Sequence, residues 1–596
     1  MDSTLTRNFA FLARACAAFA AAAAFPAGAY NHLNVVAPIS PGPFNVACSN
    51  IRQDESRIVP GTNAATYWEG RNVNGTDHYI TEILAQPNAA VRFSAVTPDV
   101  RSLYPGHAGD PVEYVAIVCH PTSSANNDPS YTLPGTGDVI PHMQLAGAAP
   151  KLISLDEYGL AFNIAFEGRG LTAKLPLIVY SHGLTGSPIS KGYVDVLVQL
   201  AAQGFMVAGI FHGDPRFSRV RVEDLSDAFY LLRNFDRVVE MELLRPVALK
   251  AMTDVLLGSA FATGVDLDRI GGFGASLGGE AMAMLVGARV TTSLDRNCSE
   301  PAHDPRLRAV VGYVPFGGYS FLPAYCDGQV GAANVNRPFL ALSGTADSTA
   351  PVTQFRQALN RFESSRYLVE LTDGQHELRP EDVGDLFTWM VTFFNAYLDV
   401  RADPGAMGRF IRMAGVTGGR QDNLTVDVHV PFSNSGSEAT AVELYNAHLN
   451  HYFATVDPAE YASLVNAPGS AWTLTGQGFK VWPQLRPDTV AGAVPVCRFD
   501  SYRRSGPASA FYTASAAECE ATKANRFWIY RGAPWYALPV DSQQRCPDGY
   551  LGVNRAYNQG HIRNDPSHRL TTSDSTMRDM EREGWIYEGM AMCARP

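Results

Sequence analysis

Ile270-Gly271-Gly272-Phe273-Gly274-Ala275-Ser276-Leu277-Gly278-Gly279-Glu280 is the stretch on which the reading of this chain turns. It has the form G-x-S-x-G. The residues Val265, Leu267, Arg269 and Ile270 lead into it, and an Ala/Met-rich helical run, 281–288, follows. A strand, a sharp turn and a helix are the context in which this pattern carries chemistry. Such a turn holds its serine in a strained backbone, and side chains at Gly274 and Gly278 would collide with the neighbouring strand or helix. The Ser276 hydroxyl would then stand exposed at a helix N-terminus, where backbone N–H groups can meet a developing oxyanion. By itself G-x-S-x-G is also met as a plain strand–helix turn, so the rest of the chain has to decide.

Working outward, short apolar runs alternate with helical patterns. Leu175 to Tyr180 reads as a buried strand ending in Ser181-His182-Gly183-Leu184-Thr185-Gly186. A helix over 193–203 stops at Gly204, and Phe205 to Phe211 is the next strand, ending in His212 and Gly213. A long helical stretch over 224–257 contains Pro246, which predicts two helices or one kinked there. Strands are expected over 307–314, 338–343 and 367–371, and helices over 353–362 and 385–397. This alternation predicts a doubly wound, mostly parallel α/β sheet, whose active groups sit at the carboxyl ends of strands.

Three such groups fall at strand ends in the order Ser276, Asp347, His376. A serine hydroxyl is a weak nucleophile near neutral pH and needs a base within reach. Histidine, with an ordinary pKa of about 6.5, suits that role. An acid such as Asp347 would hold one imidazole tautomer and offset its charge. Between Ser276 and residue 400 the only histidines are His303, which precedes the Asp347 strand, and His376, which follows it. Asp347 could instead cap a turn before Pro351, and His376 could be an ordinary loop histidine beside Asp373 and Glu377. Asp373 is the alternative acid. The oxyanion donors expected are the backbone N–H groups of Leu277 and Leu184. His182, Thr185, His212 and Ala275 are the candidate pocket residues, with His182 and His212 read mainly as structural.

The run Leu175 to Ser187, the His212-Gly213-Asp214 strand end, Gly274 to Gly279, Leu307 to Pro323, Gly344 to Asp347 and Gly374 to His376 together resemble the α/β-hydrolase superfamily. Within it they are similar to bacterial platelet-activating-factor acetylhydrolases, dienelactone-hydrolase-like esterases and polyester hydrolases. The resemblance spans about residues 40 to 400. It implies carboxylic-ester hydrolysis through an acyl-serine with no cofactor and no metal. Substrates would be small esters, lipids or polyesters. Ala275 departs from the bulkier His or Trp common before the nucleophile in those relatives, which implies a wider local pocket. The stretch 216–261 is a candidate lid or pocket wall.

The whole chain has 596 residues and a net charge of -11. That balance argues against a nucleic-acid partner, since phosphate binding needs clustered cations. Arg7 and Arg14, the short apolar run 15–25 and Ala27-Gly28-Ala29 read as a signal peptide over 1–29. No later run predicts a membrane span. The expected location is secreted or periplasmic. Removing Cys16 leaves eight cysteines, an even number that favours disulfides in an exported chain. Cys48 with Cys119 and Cys298 with Cys326 are the expected local pairs. Cys497, Cys519, Cys546 and Cys593 allow three connectivities.

The domain organisation expected is a hydrolase-like domain over 30–400, with an antiparallel lead-in over 30–150. A linker over 401–438 follows, in which 424–430 is a candidate strand. A β-rich domain over 439–596 ends the chain. In that last region Trp472, Trp528 and Trp585, spaced 56 and 57 residues apart, each stand four residues before a glycine. His451-Tyr452-Phe453-Ala454-Thr455, Phe511-Tyr512-Thr513 and His568-Arg569-Leu570-Thr571 recur with them. Three pseudo-repeats follow from this period, trefoil-like or a small propeller. They resemble the aromatic H-F-Y-T repeat modules appended to bacterial secreted enzymes. The tryptophans read first as core; stacking on a carbohydrate or polymer surface is the alternative. Three function classes stay open: a soluble-ester hydrolase, a lipase, phospholipase-type acetylhydrolase or polyester depolymerase tethered by the last domain, and a non-catalytic surface-binding protein.

Overall fold

The computed structural model describes residues 39–51, 92–133, 137–144, 149–154, 156–158, 174–190, 192–213, 225–319, 322–362, 364–398, 410, 424–429, 438–446, 448–465, 471–484, 490–501, 509–560 and 565–595. The signal-peptide assignment lies outside them, and so does the expected linker apart from Phe410, the strand Leu424–His429 and Glu438. The described residues fall into two compact units, one drawn from Met1–Phe362, Leu368–Arg401 and Arg420–Thr425, the other from Glu363–Tyr367, Ala402–Gly419 and Val426–Pro596.

The first unit is built on a ten-stranded mixed sheet. Its strands are β1 (Asn45–Asn50), β2 (Arg92–Val96), β3 (Pro111–Thr122), β4 (Leu175–Ser181), β5 (Met206–Phe211), β6 (Val265–Ala275), β7 (Leu307–Tyr313), β8 (Phe339–Gly344), β9 (Arg366–Leu371) and β10 (Leu424–His429). Their order is β1-β3-β5-β4-β6-β7-β8-β9-β10, with β2 paired to β3. β5, β4, β6, β7 and β8 pair in parallel. β1, β2 and β3 are antiparallel, as the lead-in reading expected, and β3 joins β5 antiparallel. β4, β5 and β8 are buried along their whole length, which is why they read as unbroken apolar runs.

The helices of this unit are α1 (Tyr193–Ala202), α2 (Leu225–Arg233), α3 (Phe235–Leu257), α4 (Leu277–Leu285), α5 (Val352–Leu359) and α6 (Pro380–Leu398). They cover both faces of the sheet. A Cβ on Gly271 would meet Phe394 of α6, and one on its neighbour Gly272 would meet Met282 of α4. Successive strand residues point to opposite faces, so α6 and α4 lie on opposite sides. Between α2 and α3 the long helical stretch does break, but at Asn234 rather than at Pro246. Asn234 has φ -118 and ψ 20, outside the helical region, whereas Pro246 sits inside α3. Pro246 has no N–H to give the carbonyl four residues back, and α3 runs on because it packs on α4 and the sheet.

In the second unit three small antiparallel sheets share one plan. β11 (Ala439–Asn446) lies between β12 (His451–Thr455) and β13 (Trp472–Val481). β14 (Val494–Ser501) lies between β15 (Ala510–Thr513) and β16 (Trp528–Tyr530), with β17 (Trp535–Ala537) added along it. β18 (Leu551–Tyr557) lies between β19 (His568–Thr571) and β20 (Ile586–Ala594). A helix links the second strand to the third each time: α7 (Pro458–Val465), α8 (Ala516–Lys523) and α9 (Asp574–Arg582). The hydroxyls of Thr455, Thr513 and Thr571 each accept the N–H two residues on, all at 3.0 Å, which starts the turn into the helix. Gly476, Gly532 and Gly589 have φ of 81, 93 and 89, a backbone that favours glycine. Of the paired tryptophans, Trp585 is buried, and Trp472 and Trp528 are half-buried against apolar clusters.

The strand registers also place Glu443, Arg498 and Arg555 at corresponding positions, and Phe453, Phe511 and Arg569 likewise. Arg498 stacks over Phe453 at 4.6 Å and binds Glu460 at 2.7 Å. Arg555 stacks over Phe511 at 4.4 Å and binds Glu518 at 2.8 Å. At the third junction the charges are exchanged: Arg569 donates to both carboxylate oxygens of Glu443, each at 3.0 Å.

The structure contains the disulfides Cys48–Cys119 and Cys298–Cys326, and it selects Cys497–Cys519 and Cys546–Cys593 from the three arrangements left open. Cys48 and Cys119 stand directly opposite on β1 and β3. Among the described residues no helix is long and apolar enough to cross a membrane.

Candidate active site

The chain runs from β4 outward to β5, then crosses back to place β6 on the other side of β4. β4 and β6 therefore meet at a switch point, where α/β sheets of this kind place their ligand crevice at the carboxyl ends of the strands. Ser276 follows β6 and is the N-cap of α4 with φ 54 and ψ -119, a backbone state that serine rarely adopts. Close approach enforces it. A Cβ on Gly274 would lie 2.1 Å from the Gly278 carbonyl, and one on Gly278 would lie 2.1 Å from the Ser181 carbonyl. The turn is also pinned by hydrogen bonds. Ser276 N–H donates to Tyr313 at 2.9 Å, and its carbonyl accepts from Gly279 at 2.9 Å and Phe316 at 3.1 Å.

Two later strands bring the partners. After β8, Asp347 is buried, and its Oδ1 accepts the N–H groups of Thr349 and Ala350, both at 2.8 Å. Those bonds fix the carboxylate plane and leave Oδ2 for His376 Nδ1, 2.8 Å away. His376 Nε2 then lies 3.0 Å from Ser276 Oγ. The ring is half-buried, so one edge meets the acid and the other the hydroxyl. With Nδ1 donating to a carboxylate, Nε2 is left to accept a proton from the hydroxyl. The turn reading of Asp347 is met at Oδ1, while Oδ2 stands within hydrogen-bond distance of His376. Asp373 sits exposed in a turn with φ 56, its N–H held by the Thr345 hydroxyl at 2.8 Å.

The β4 loop closes the other side. A Cβ on Gly183 would stand 3.2 Å from Ser276 Cβ, so that glycine lets the backbone run alongside the serine. Leu184 and Leu277, the expected backbone donors, follow Gly183 and Ser276 in the two loops, and both are half-buried. Leu277 opens α4, so its N–H has no acceptor within the helix. Thr185, with φ 62, is half-buried in the same loop.

His182 and His212 lie beneath this loop, both fully buried. His182 Nδ1 donates to the Gly183 carbonyl at 2.7 Å, and its Nε2 accepts the His212 N–H at 3.1 Å. His212 Nε2 meets the Ser181 hydroxyl at 2.8 Å. Burial first, and then the charge of Arg245, push both imidazoles well below the usual histidine range, so both stay neutral. Ala275 is buried inside β6. The structure thus brings Ser276, Asp347 and His376 together, runs the Gly183 backbone beside Ser276, and buries His182 and His212.

Arg245 was not singled out by any motif. It is fully buried in α3, with Nη1 donating to the His182 carbonyl at 2.6 Å and Nη2 reaching the Gly183 carbonyl at 3.5 Å. Glu280, one turn into α4, is buried as well. Burial raises its pKa well above the ordinary value, Glu242 adds to the shift, and Arg245 opposes it. Among the described residues no cluster of side chains has the makings of a metal site.

Residues 437–595 match the model of a domain of unknown function (DUF5648), a segment that takes in the three small sheets of the second unit. Comparison with curated proteins gave no match to the chain.

Proposed function

We propose that this chain is a serine hydrolase of α/β-hydrolase type that cleaves carboxylic esters through an acyl-serine. The observation that carries the reading is the relay Asp347–His376–Ser276, with hydrogen bonds of 2.8 and 3.0 Å onto a serine held at φ 54. Ser276 Oγ attacks the ester carbonyl carbon while its proton passes to His376 Nε2. The carbonyl oxygen becomes an oxyanion that the Leu277 and Leu184 N–H groups meet. When the tetrahedral species collapses, the C–O bond to the alcohol breaks and His376 returns the proton to that oxygen. Water then attacks the acyl carbon, again giving a proton to His376. The C–O bond to Ser276 breaks, the carboxylic acid leaves, and the hydroxyl is reprotonated.

A fluorophosphonate probe tests the chemistry directly. It should form one covalent adduct, located by peptide mass spectrometry at Ser276. His376→Ala should slow that labelling by about 10²-fold or more. An unlabelled Ser276 in folded protein would rule the reading out. Esters of rising acyl length, with a polyester film as the insoluble case, then separate small-ester, lipid and polyester substrates.

The second unit is read as three copies of one strand–strand–helix–strand motif. The matching threonines, positive-φ glycines and Arg–Phe–Glu junctions support this. Its exposed aromatics favour a surface-binding accessory role. Phe527 and Tyr530 are 62% and 43% exposed beside Arg526 and Lys523, and rings presented this way suit stacking on a carbohydrate or polymer. Phe527→Ala combined with Tyr530→Ala should lower the fraction of protein that sediments with cellulose or polyester particles. An unchanged bound fraction would remove the role from this patch. The four disulfides fit folding in an oxidising compartment, and export to the periplasm or medium belongs to the same proposal.

A further inference from the structure

We propose that Arg245 is a positioning residue for the oxyanion loop: by holding the His182 and Gly183 carbonyls from α3 it aims the Leu184 N–H at the oxyanion. The inference rests on the serine-hydrolase reading above and adds to it a residue 61 positions from the loop donor.

The argument begins with one peptide unit. The Gly183 carbonyl and the Leu184 N–H belong to the same planar trans peptide, so they point in opposite directions. Fixing one fixes the other. The carbonyl is held on its own side by His182 Nδ1 at 2.7 Å, with Arg245 Nη2 at 3.5 Å. The preceding peptide is held by Arg245 Nη1 on the His182 carbonyl at 2.6 Å. Gly183 itself faces Ser276, as its 3.2 Å virtual Cβ distance shows. With both carbonyls drawn back toward α3, the Leu184 N–H is turned the other way. An oxyanion donor works because it is already oriented when charge develops.

The residue types fit the task. Guanidinium is planar and presents several N–H groups in a rigid fork, so one side chain can span two successive carbonyls; an ammonium is a single point of charge. His182 can add its bond only while neutral, with Nδ1 protonated and Nε2 accepting the His212 N–H. Burial first, and then the nearby Arg245 charge, keep it so. Glu280, buried in the first turn of α4, is pushed toward its neutral form by burial and by Glu242, and the Arg245 charge only partly opposes this. Taking a guanidinium fully out of water is strongly unfavourable before its partners are counted. A methionine or leucine would fill the same space in α3 without that penalty.

The test uses the full chain and a soluble aryl ester. Arg245→Met should lower kcat by about 10- to 100-fold, below the loss of a whole donor, with KM held within about threefold. The affinity for a trifluoromethyl ketone, which forms the same oxyanion on Ser276, should fall by the same factor as kcat. Arg245→Lys keeps the charge but spans one carbonyl, so both quantities should fall between wild type and Arg245→Met. Melting curves and circular dichroism report the fold. If Arg245→Met does not fold, Arg245→Lys decides, and wild-type kcat and ketone affinity in it would overturn the inference. A folded Arg245→Met that loses kcat without losing ketone affinity would overturn it too. Full turnover in Ser276→Ala would instead overturn the hydrolase reading, whereas an inactive Ser276→Ala beside a fully active Arg245→Met would remove only the positioning role.

Discussion

Ser276→Ala should lower turnover of a soluble aryl ester by at least about 10⁴-fold. The size of the effect follows from the relay acting as a unit. His376 Nε2 is placed 3.0 Å from a single hydroxyl, and without that oxygen the base has nothing to activate. For the same reason Ser276→Ala combined with His376→Ala should be no slower than either change alone. The fold should survive, since the turn is pinned through the Ser276 backbone by Tyr313, Gly279 and Phe316 rather than through its side chain. Ser276→Gly goes further. It removes a strained non-glycine φ of 54, a state that typically stores about 1–3 kcal/mol, so it should be inactive and yet melt above wild type. Undiminished turnover in the alanine protein would refute the assignment of the nucleophile.

Glu443→Gln should destabilise the second unit by about 3–5 kcal/mol, the typical penalty for breaking a buried ion pair. Arg569 is 1% exposed at its side chain and Glu443 5%, so neither has water to turn to. Burial works against the Arg569 charge, and Glu443, with Tyr452 and Asp579 adding to it, outweighs that and holds the guanidinium above its ordinary pKa. Glutamine keeps the shape but removes the carboxylate that accepts from Arg569 twice, leaving only the more weakly acting Asp579 to offset the charge. The readout is the unfolding transition of the second unit by calorimetry of the full chain. The junction also offers a rescue. Thr576 corresponds in its helix to Glu460 and Glu518, so E443R, R569F and T576E together would rebuild the Arg–Phe–Glu set of the other two junctions. That triple variant should be more stable than Glu443→Gln. A Glu443→Gln protein with an unmoved transition would show that the pair is dispensable.

Much of the α/β unit was legible because its signals are local. β4, β5 and β8 are apolar throughout since both faces are covered, and the strands expected over 175–180, 205–211, 307–314, 338–343 and 367–371 appeared within about a residue of their places. α6 began earlier than expected, at Pro380 rather than residue 385. The proline opens the helix with a fixed φ and no N–H to satisfy. Pro246 misled in the opposite direction. A proline inside a helical pattern is a sound local reason to break it, but α3 is held from outside by the packing of its neighbours. The turn around Ser276 was legible down to its glycines, because the collisions that exclude other residues are with Gly278 in the same turn and with Ser181 at the end of β4, the strand paired beside β6.

By itself the sequence determined the alternation of strands and helices, the order Ser276, Asp347, His376 and the recurrence of Trp472, Trp528 and Trp585. Each of these depends on residues close in the chain or on their order along it. Tertiary structure decided what depends on distance in space. It brought Asp347 Oδ2 to His376 while its other oxygen took two backbone N–H groups. It chose Cys497–Cys519 and Cys546–Cys593, because a disulfide needs Cα atoms about 6 Å apart, and sequence carries no such distance. It set Arg569 on Glu443 across 126 residues, and Arg245 under the loop of His182 and Gly183. A buried charge leaves no periodic trace in the sequence, since a single arginine on a helix reads as a solvated one until the fold removes its water.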